Sequence, residues 1–209
     1  MFQNTVKSQK YLALGDSYTI GEAVLMEESW PYQLYLKLVE NDIYLQAPQI
    51  IAKTGWTTDE LFAAIDTADL SEKYDLVSLS IGVNNQYRDY PMEQFKKEYA
   101  LLLEMAIYKA NNEPGRVIVL SIPDYGVTPF AKKKNPQKIS REIDEYNAVM
   151  EQITEKKSVR FYNITEISRQ AKKDNKLLAT DGLHPSGKMY DKWVDIIYED
   201  AIPLFKTSK

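Results

Sequence analysis

The amino-acid sequence predicts an α/β protein: a parallel sheet with helices on both faces. Three observations predict it. Five short runs rich in Val, Ile and Leu recur along the 209 residues, and the first four are closed by Gly or Pro. Such runs lack polar alternation, as strands buried on both faces do. An amphipathic segment of helical period follows each run, and that alternation calls for crossover helices packed on the sheet.

The elements follow in order. Residues 11–14 (YLAL) form the first strand, ended by Gly15. Residues 31–38 (PYQLYLKL) form a helix with proline at its first position, where the missing N–H does no harm. Residues 49–52 (QIIA) are the second strand, leading into Lys53, Thr54 and Gly55. In residues 58–65, Leu61, Phe62 and Ile65 fall at helical spacing behind a Thr57 or Thr58 cap. Residues 76–81 (LVSLSI) end at Gly82 as the third strand. The helix over 91–111 carries Phe95, Tyr99, Leu102, Leu103 and Ala106 on one face. The fourth strand, 117–122 (VIVLSI), ends at Pro123. A helix over 139–154 places Ile143, Tyr146, Val149, Met150 and Ile153 inward. The fifth strand, 159–164 (VRFYNI), is the most polar, and a last helix over 186–205 presents Met189, Trp193, Ile196 and Ile197. These stripes are read as core. The longest loops are 21–30, 125–136 and 174–181; Lys132, Lys133 and Lys134 read as a solvated loop tip.

Composition narrows the function. Hydrophobic residues are 44% and charged residues 27%, the balance of a globular domain, so 1–209 is expected to be one domain. A net charge of −4 gives no basic field for nucleic acid or acidic lipid. With no cysteine, a disulfide framework, a thiolate metal site and a cysteine nucleophile are excluded. With one histidine, all imidazole chemistry runs through His184, and a two-histidine metal motif is impossible. No apolar stretch approaches the ~18 residues of a membrane span. The N-terminal stretch MFQNTVKSQKYLALGDS shows no signal-peptide pattern, so cytoplasmic residence is expected.

Open α/β sheets bind ligands beyond the carboxyl ends of their strands, where strand order reverses. The segments at those ends carry Gly15-Asp16-Ser17-Tyr18-Thr19, Gly55-Trp56, Gly82-Val83-Asn84-Asn85, Pro123-Asp124-Tyr125 and, before the last helix, Asp181-Gly182-Leu183-His184-Pro185. A serine hydroxyl needs a base to become a nucleophile, and the base needs a carboxylate on its other nitrogen. Ser17, His184 and Asp181 fill those roles if Asp181 to His184 form one turn. An oxyanion needs convergent donors. The N–H groups of Ser17 and Gly55 and the uncharged amide of Asn84 qualify.

Those residues resemble the SGNH branch of the GDSL esterase/lipase family. Its first block matches Ala13-Leu14-Gly15-Asp16-Ser17-Tyr18-Thr19, with tyrosine where many members have leucine. Gly55 matches the second block. Gly82-Val83-Asn84-Asn85 matches the usual Gly-x-Asn-Asp except at Asn85, and Asp181-Gly182-Leu183-His184-Pro185 matches Asp-x-x-His-Pro. The resemblance implies a three-layer α/β/α sandwich, flavodoxin-like, with strand order 2-1-3-4-5. It implies ester hydrolysis through an acyl-enzyme on Ser17, with His184 and Asp181, and with no metal or cofactor. It makes Asp16 a support of the turn and puts Asp124 in a loop near the acyl pocket. Tyr18, Trp56, Asn85 and Tyr125 are expected in the pocket wall around a small-molecule ester, with short acyl chains favoured by the lack of an apolar lid. Thioester hydrolysis, carbohydrate deacetylation and lysophospholipid hydrolysis use the same triad. A non-catalytic phosphate or flavin binder is the alternative of another class, although Asp16 and Glu22 repel phosphate and that reading gives His184 no task. The motifs leave acyl length, alcohol and oligomeric state open.

Overall fold

The computed structural model describes residues 8–206. Five strands form the sheet: β1 (Tyr11–Asp16), β2 (Gln49–Lys53), β3 (Leu76–Ser80), β4 (Val117–Leu120) and β5 (Arg160–Tyr162). All pairs are parallel, in the order β2-β1-β3-β4-β5. Every residue of β1, β3 and β4 is buried, whereas the edge strand β2 is partly exposed. The continuous apolar runs of the sequence are therefore the central strands, as burial on both faces requires.

Among the described residues, eight α-helices flank the sheet: α1 (Ser17–Ile20), α2 (Trp30–Glu40), α3 (Thr58–Thr67), α4 (Val83–Tyr87), α5 (Met92–Lys109), α6 (Pro136–Lys156), α7 (Thr165–Arg169) and α8 (Gly187–Lys206). α2 packs on α8, α3 on α5, and α5 on α6. The five long helices lie where the hydrophobic period predicts them. Phe95, Tyr99, Leu102, Leu103 and Ala106 of α5 are all buried, while Phe62 of α3 and Ile196 of α8, both expected inward, are 37% and 41% exposed.

Every strand differs from expectation by one or two residues at an end, and two of these differences have visible reasons. β4 stops at Leu120, two residues short, because the N–H of Ile122 leaves the ladder and donates to Asn147 Oδ1 of α6 at 2.7 Å. β5 stops at Tyr162 because the N–H of Ile164 donates to Ser121 Oγ at 2.9 Å. The short helices α1, α4 and α7 span four or five residues each, too few for a period to register. Among the described residues no helix is long and apolar enough to cross a membrane.

Candidate active site

Strand order reverses at β1, which has β2 on one side and β3 on the other. The crevice predicted for a ligand opens there, beyond the carboxyl ends of β1 and β3. Ser17 is the first residue of α1, directly after the buried central strand. Asp16 caps the helix by accepting from the Tyr18 N–H at 3.0 Å. Gly15 is dictated by space: a Cβ there would lie 2.1 Å from Thr19 Oγ1 and 2.4 Å from the Ser80 carbonyl. Only glycine lets α1 fold back this closely against β3. The Ser17 N–H, at the first helical position, has no intrahelical acceptor.

His184 and Asp181 share one tight turn. Asp181 Oδ1 accepts from the N–H groups of Leu183, at 2.9 Å, and His184, at 3.0 Å. Its Oδ2 accepts from His184 Nδ1 at 2.6 Å. Partial burial alone would raise the Asp181 pKa; the hydrogen bonds from the His184 ring and from these two N–H groups outweigh it and hold the carboxyl below its ordinary value. A carboxylate only accepts, so Nδ1 carries the proton and Nε2 presents a lone pair. That lone pair faces Ser17 Oγ at 3.0 Å, across 167 residues of chain. The Tyr18 ring meets the His184 ring edge-on, centroids 5.5 Å apart.

Asp16 is a different kind of acid. It is buried beside Ser17, and loss of hydration pushes its pKa up to about 7 against the hydrogen bonds from the Tyr18 and Asp16 N–H groups. It contacts the backbone of its own turn, as the supporting role requires.

Gly55 and Asn84 come from the ends of β2 and β3. Gly55 has φ +87°, a left-handed conformation that other residues adopt only under strain. Arg88 Nη2 donates to the Gly55 carbonyl at 2.6 Å. Asn84 Nδ2 donates one of its two N–H groups to the Trp56 carbonyl at 2.9 Å. That bond fixes the rotamer and leaves the second N–H for a ligand.

Ser17, Gly55, Asn84 and His184 line one cleft of about 170 Å³. Tyr18 and Tyr125 line it too. Trp56 and Asn85 are not among its lining residues, which corrects their assignment to the wall. Trp56 packs partly buried against the core. Asn85 is fully buried with its amide spent on Thr58. The rest of the wall is Thr54, Val83, Tyr87, Phe130 and Leu183. Sequence signals for several of these existed: Tyr87 lies one helical turn beyond Asn84, Leu183 precedes His184, and Thr54 precedes Gly55.

Asp124 stays outside the cleft. It is buried, accepts from the Gly126 N–H at 2.8 Å, and pairs with Arg169 Nε at 2.9 Å, which anchors the loop that carries Tyr125. Lys134 is more than a solvated tip. Its Nζ donates to Tyr87 OH at 2.8 Å and sits 4.2 and 4.3 Å from the Tyr87 and Phe130 ring centroids. Among the described residues no group of three or more His, Asp or Glu side chains is arranged to hold a metal ion.

Residues 13–192 match the GDSL-like lipase/acylhydrolase family. The chain is 28% identical over 182 residues to an acetylxylan esterase of Geobacillus stearothermophilus, covering 83% of this chain and 75% of that one. Its fold resembles TesA, with a TM-score of 0.69 at 18% identity over 94% of this chain and 99% of that one. It also resembles a lipase/acylhydrolase from Enterococcus faecalis, with a TM-score of 0.66 at 22% identity over 96% and 99%.

Proposed function

We propose that this chain, which belongs to the GDSL-like lipase/acylhydrolase family, cleaves its ester through an acyl-enzyme on Ser17, with His184 as base and Asp181 as the group that orients it. Membership makes the chain an ester hydrolase and removes the non-catalytic phosphate or flavin binder from consideration. One observation carries the finer reading: the unbroken line Ser17 Oγ–His184 Nε2–His184 Nδ1–Asp181 Oδ2, with contacts of 3.0 and 2.6 Å.

In the first half-reaction, His184 Nε2 takes the Ser17 proton as Oγ attacks the ester carbonyl. The Ser17 N–H, the Gly55 N–H and the second N–H of Asn84 receive the oxyanion. Asp181 stabilises the imidazolium and stays ionised. His184 then gives its proton to the leaving alcohol. In the second half, His184 deprotonates a water that attacks the acyl-enzyme, and Ser17 regains its proton as the acid leaves.

The size of the cleft supports a short acyl group. At about 170 Å³ it is below the ~300–1,000 Å³ of pockets that hold drug-sized ligands. A panel of p-nitrophenyl esters from acetate to palmitate, run on the wild type and Ser17→Ala, tests class and size together. The fastest turnover is expected at acetate to butyrate, with activity lost in Ser17→Ala; palmitate as the best substrate would refute the size assignment.

Carbohydrate deacetylation is the second reading. It is favoured by similarity to an acetylxylan esterase and by the rim rings of Tyr87 and Phe130, which are 47% and 41% exposed. Acetylated xylo-oligosaccharides assayed against p-nitrophenyl acetate decide it: a kcat/KM no higher on the oligosaccharide ends that reading.

A further inference from the structure

We infer that Asn85, Thr58 and Glu98 form a hydrogen-bond chain of fixed direction that positions the oxyanion donors, and that this direction is why residue 85 is an asparagine. The inference rests on the assignment of Gly55 and Asn84 as those donors. Asn85 is a positioning residue: it lies outside the cleft and acts through its neighbours.

The direction follows from the chemistry of each group. Glu98 Oε2 accepts from Thr58 Oγ1 at 2.5 Å, and Oε1 accepts from Gln94 Nε2 at 2.7 Å. A threonine hydroxyl has one proton, and here it goes to the carboxylate. Thr58 Oγ1 therefore turns lone pairs toward position 85. Asn85 Nδ2 donates to it at 2.7 Å. On its other side, Asn85 Oδ1 accepts from the Thr58 N–H at 3.1 Å. Position 85 must thus donate and accept at once, inside a site where Asn85 and Thr58 are fully buried. A carboxamide does both. An aspartate, usual at this place in the family the sequence resembles, accepts from the N–H but meets Oγ1 lone pair to lone pair. It would also set a second carboxylate one hydroxyl away from Glu98, and an unmatched buried contact of that kind is destabilising.

The chain joins the two segments that hold the donors. Asn85 follows Asn84 in α4, and Thr58 begins α3 three residues after Gly55. The Asn85–Thr58 pair, the Asn84–Trp56 bond and the Arg88–Gly55 bond are successive ties across the same gap. Loosening the buried tie shifts Asn84 against Gly55, and an oxyanion site displaced by ~1 Å can lose about 10²-fold in rate.

The test is a polarity swap, with p-nitrophenyl acetate kinetics on the purified full chain. Asn85→Asp is expected to lower kcat by about tenfold or more with KM within about twofold, the pattern of an interaction made only in the transition state. Glu98→Gln alone keeps an amide oxygen for the Thr58 proton and is expected within about threefold of wild type. In the double variant Asn85→Asp/Glu98→Gln, the new amide at 98 donates to Thr58 Oγ1, whose proton then goes to the new carboxylate at 85. The chain runs backwards, and kcat is expected to return to within about threefold of wild type. A double variant no faster than Asn85→Asp, or Asn85→Asp itself within about twofold of wild type in kcat, overturns the inference. If Asn85→Asp does not fold, Thr58→Ser keeps the hydroxyl and Thr58→Val removes it at equal shape; equal kcat in those two overturns it likewise. Ser17→Ala, run beside them, separates the two readings. Loss of activity there with an indifferent chain sinks only the chain, whereas activity retained there sinks the serine mechanism and the chain with it.

Discussion

The two sides of the cleft are built differently. On the inner side, Ser17 and His184 are buried, and each is held by backbone: a helix cap from Asp16 for one, a turn closed on Asp181 for the other. On the outer side, Tyr87, Tyr125 and Phe130 lean on one another at centroid distances of 6.1 to 6.3 Å, and Tyr87 and Phe130 are about half exposed beneath Lys134. Proton transfer needs placement to a fraction of an ångström, which directional hydrogen bonds and rigid elements supply. Recognition of an apolar group tolerates more play, and ring contacts suffice. Damage to the first side should therefore appear in kcat by orders of magnitude. Damage to the second should appear as altered selectivity.

The largest effect is expected from Asp181→Asn. The new amide would donate to His184 Nδ1, move the ring proton to Nε2 and leave no lone pair for Ser17. A loss of about 10³–10⁴ in kcat is expected, measured on p-nitrophenyl acetate; a loss below tenfold would put the orienting role elsewhere. Asn84→Ala should come next, at roughly 10²–10³ in kcat with a folded protein by circular dichroism. A fall under threefold would remove Asn84 from the oxyanion site. Across the cleft, Phe130→Ala should change kcat on acetate by less than about threefold yet flatten the chain-length preference of the ester panel, since one apolar contact is worth ~1–3 kcal/mol between substrates. If Phe130→Ala instead loses as much as Asn84→Ala on acetate, the two sides are not functionally distinct.

The same division decides what could be read from the sequence. β1, β3 and β4 were legible because burial on both faces leaves uninterrupted apolar runs, and the long helices because their inner stripes repeat. The meeting of Ser17, His184 and Asp181 was legible because chemistry restricts the residue type: one histidine in the chain, a carboxylate three residues before it, and a serine after the first strand. The outer wall was not. Tyrosine is abundant, with 15 in the chain, and Tyr87, which lines the cleft, is marked only by its place one helical turn beyond Asn84. Trp56 and Asn85 were placed in the wall by proximity to Gly55 and Asn84. Neighbours in sequence point to different sides of a short helix or turn, and Asn85 points into α3. Which way it faces is a tertiary fact, set by Thr58 and Glu98.

The smallest effect on rate, and the finest probe of the rigid side, is Asp16→Asn. Asparagine keeps an oxygen for the Tyr18 N–H, so the cap survives and kcat at pH 8 should stay within about threefold. Stability should change with pH in a defined direction. Burial raises the Asp16 pKa to about 7 in the folded chain, against about 3.9 for an unfolded aspartate. Between those values the folded state holds a proton that the unfolded state has released. Stability from this group therefore falls as pH rises through the window, and the whole penalty is present above it. Asparagine cannot ionise and escapes it. The variant should match the wild type near pH 3.5 and exceed it at pH 8, by up to ~4 kcal/mol for a three-unit shift and less after relaxation. At ~2–4 °C per kcal/mol for a chain of this size, thermal unfolding resolves such a difference. A Tm gap that does not grow with pH would mean that Asp16 is ionised and stabilised in its turn, and that Ser17 sits on a charged cap.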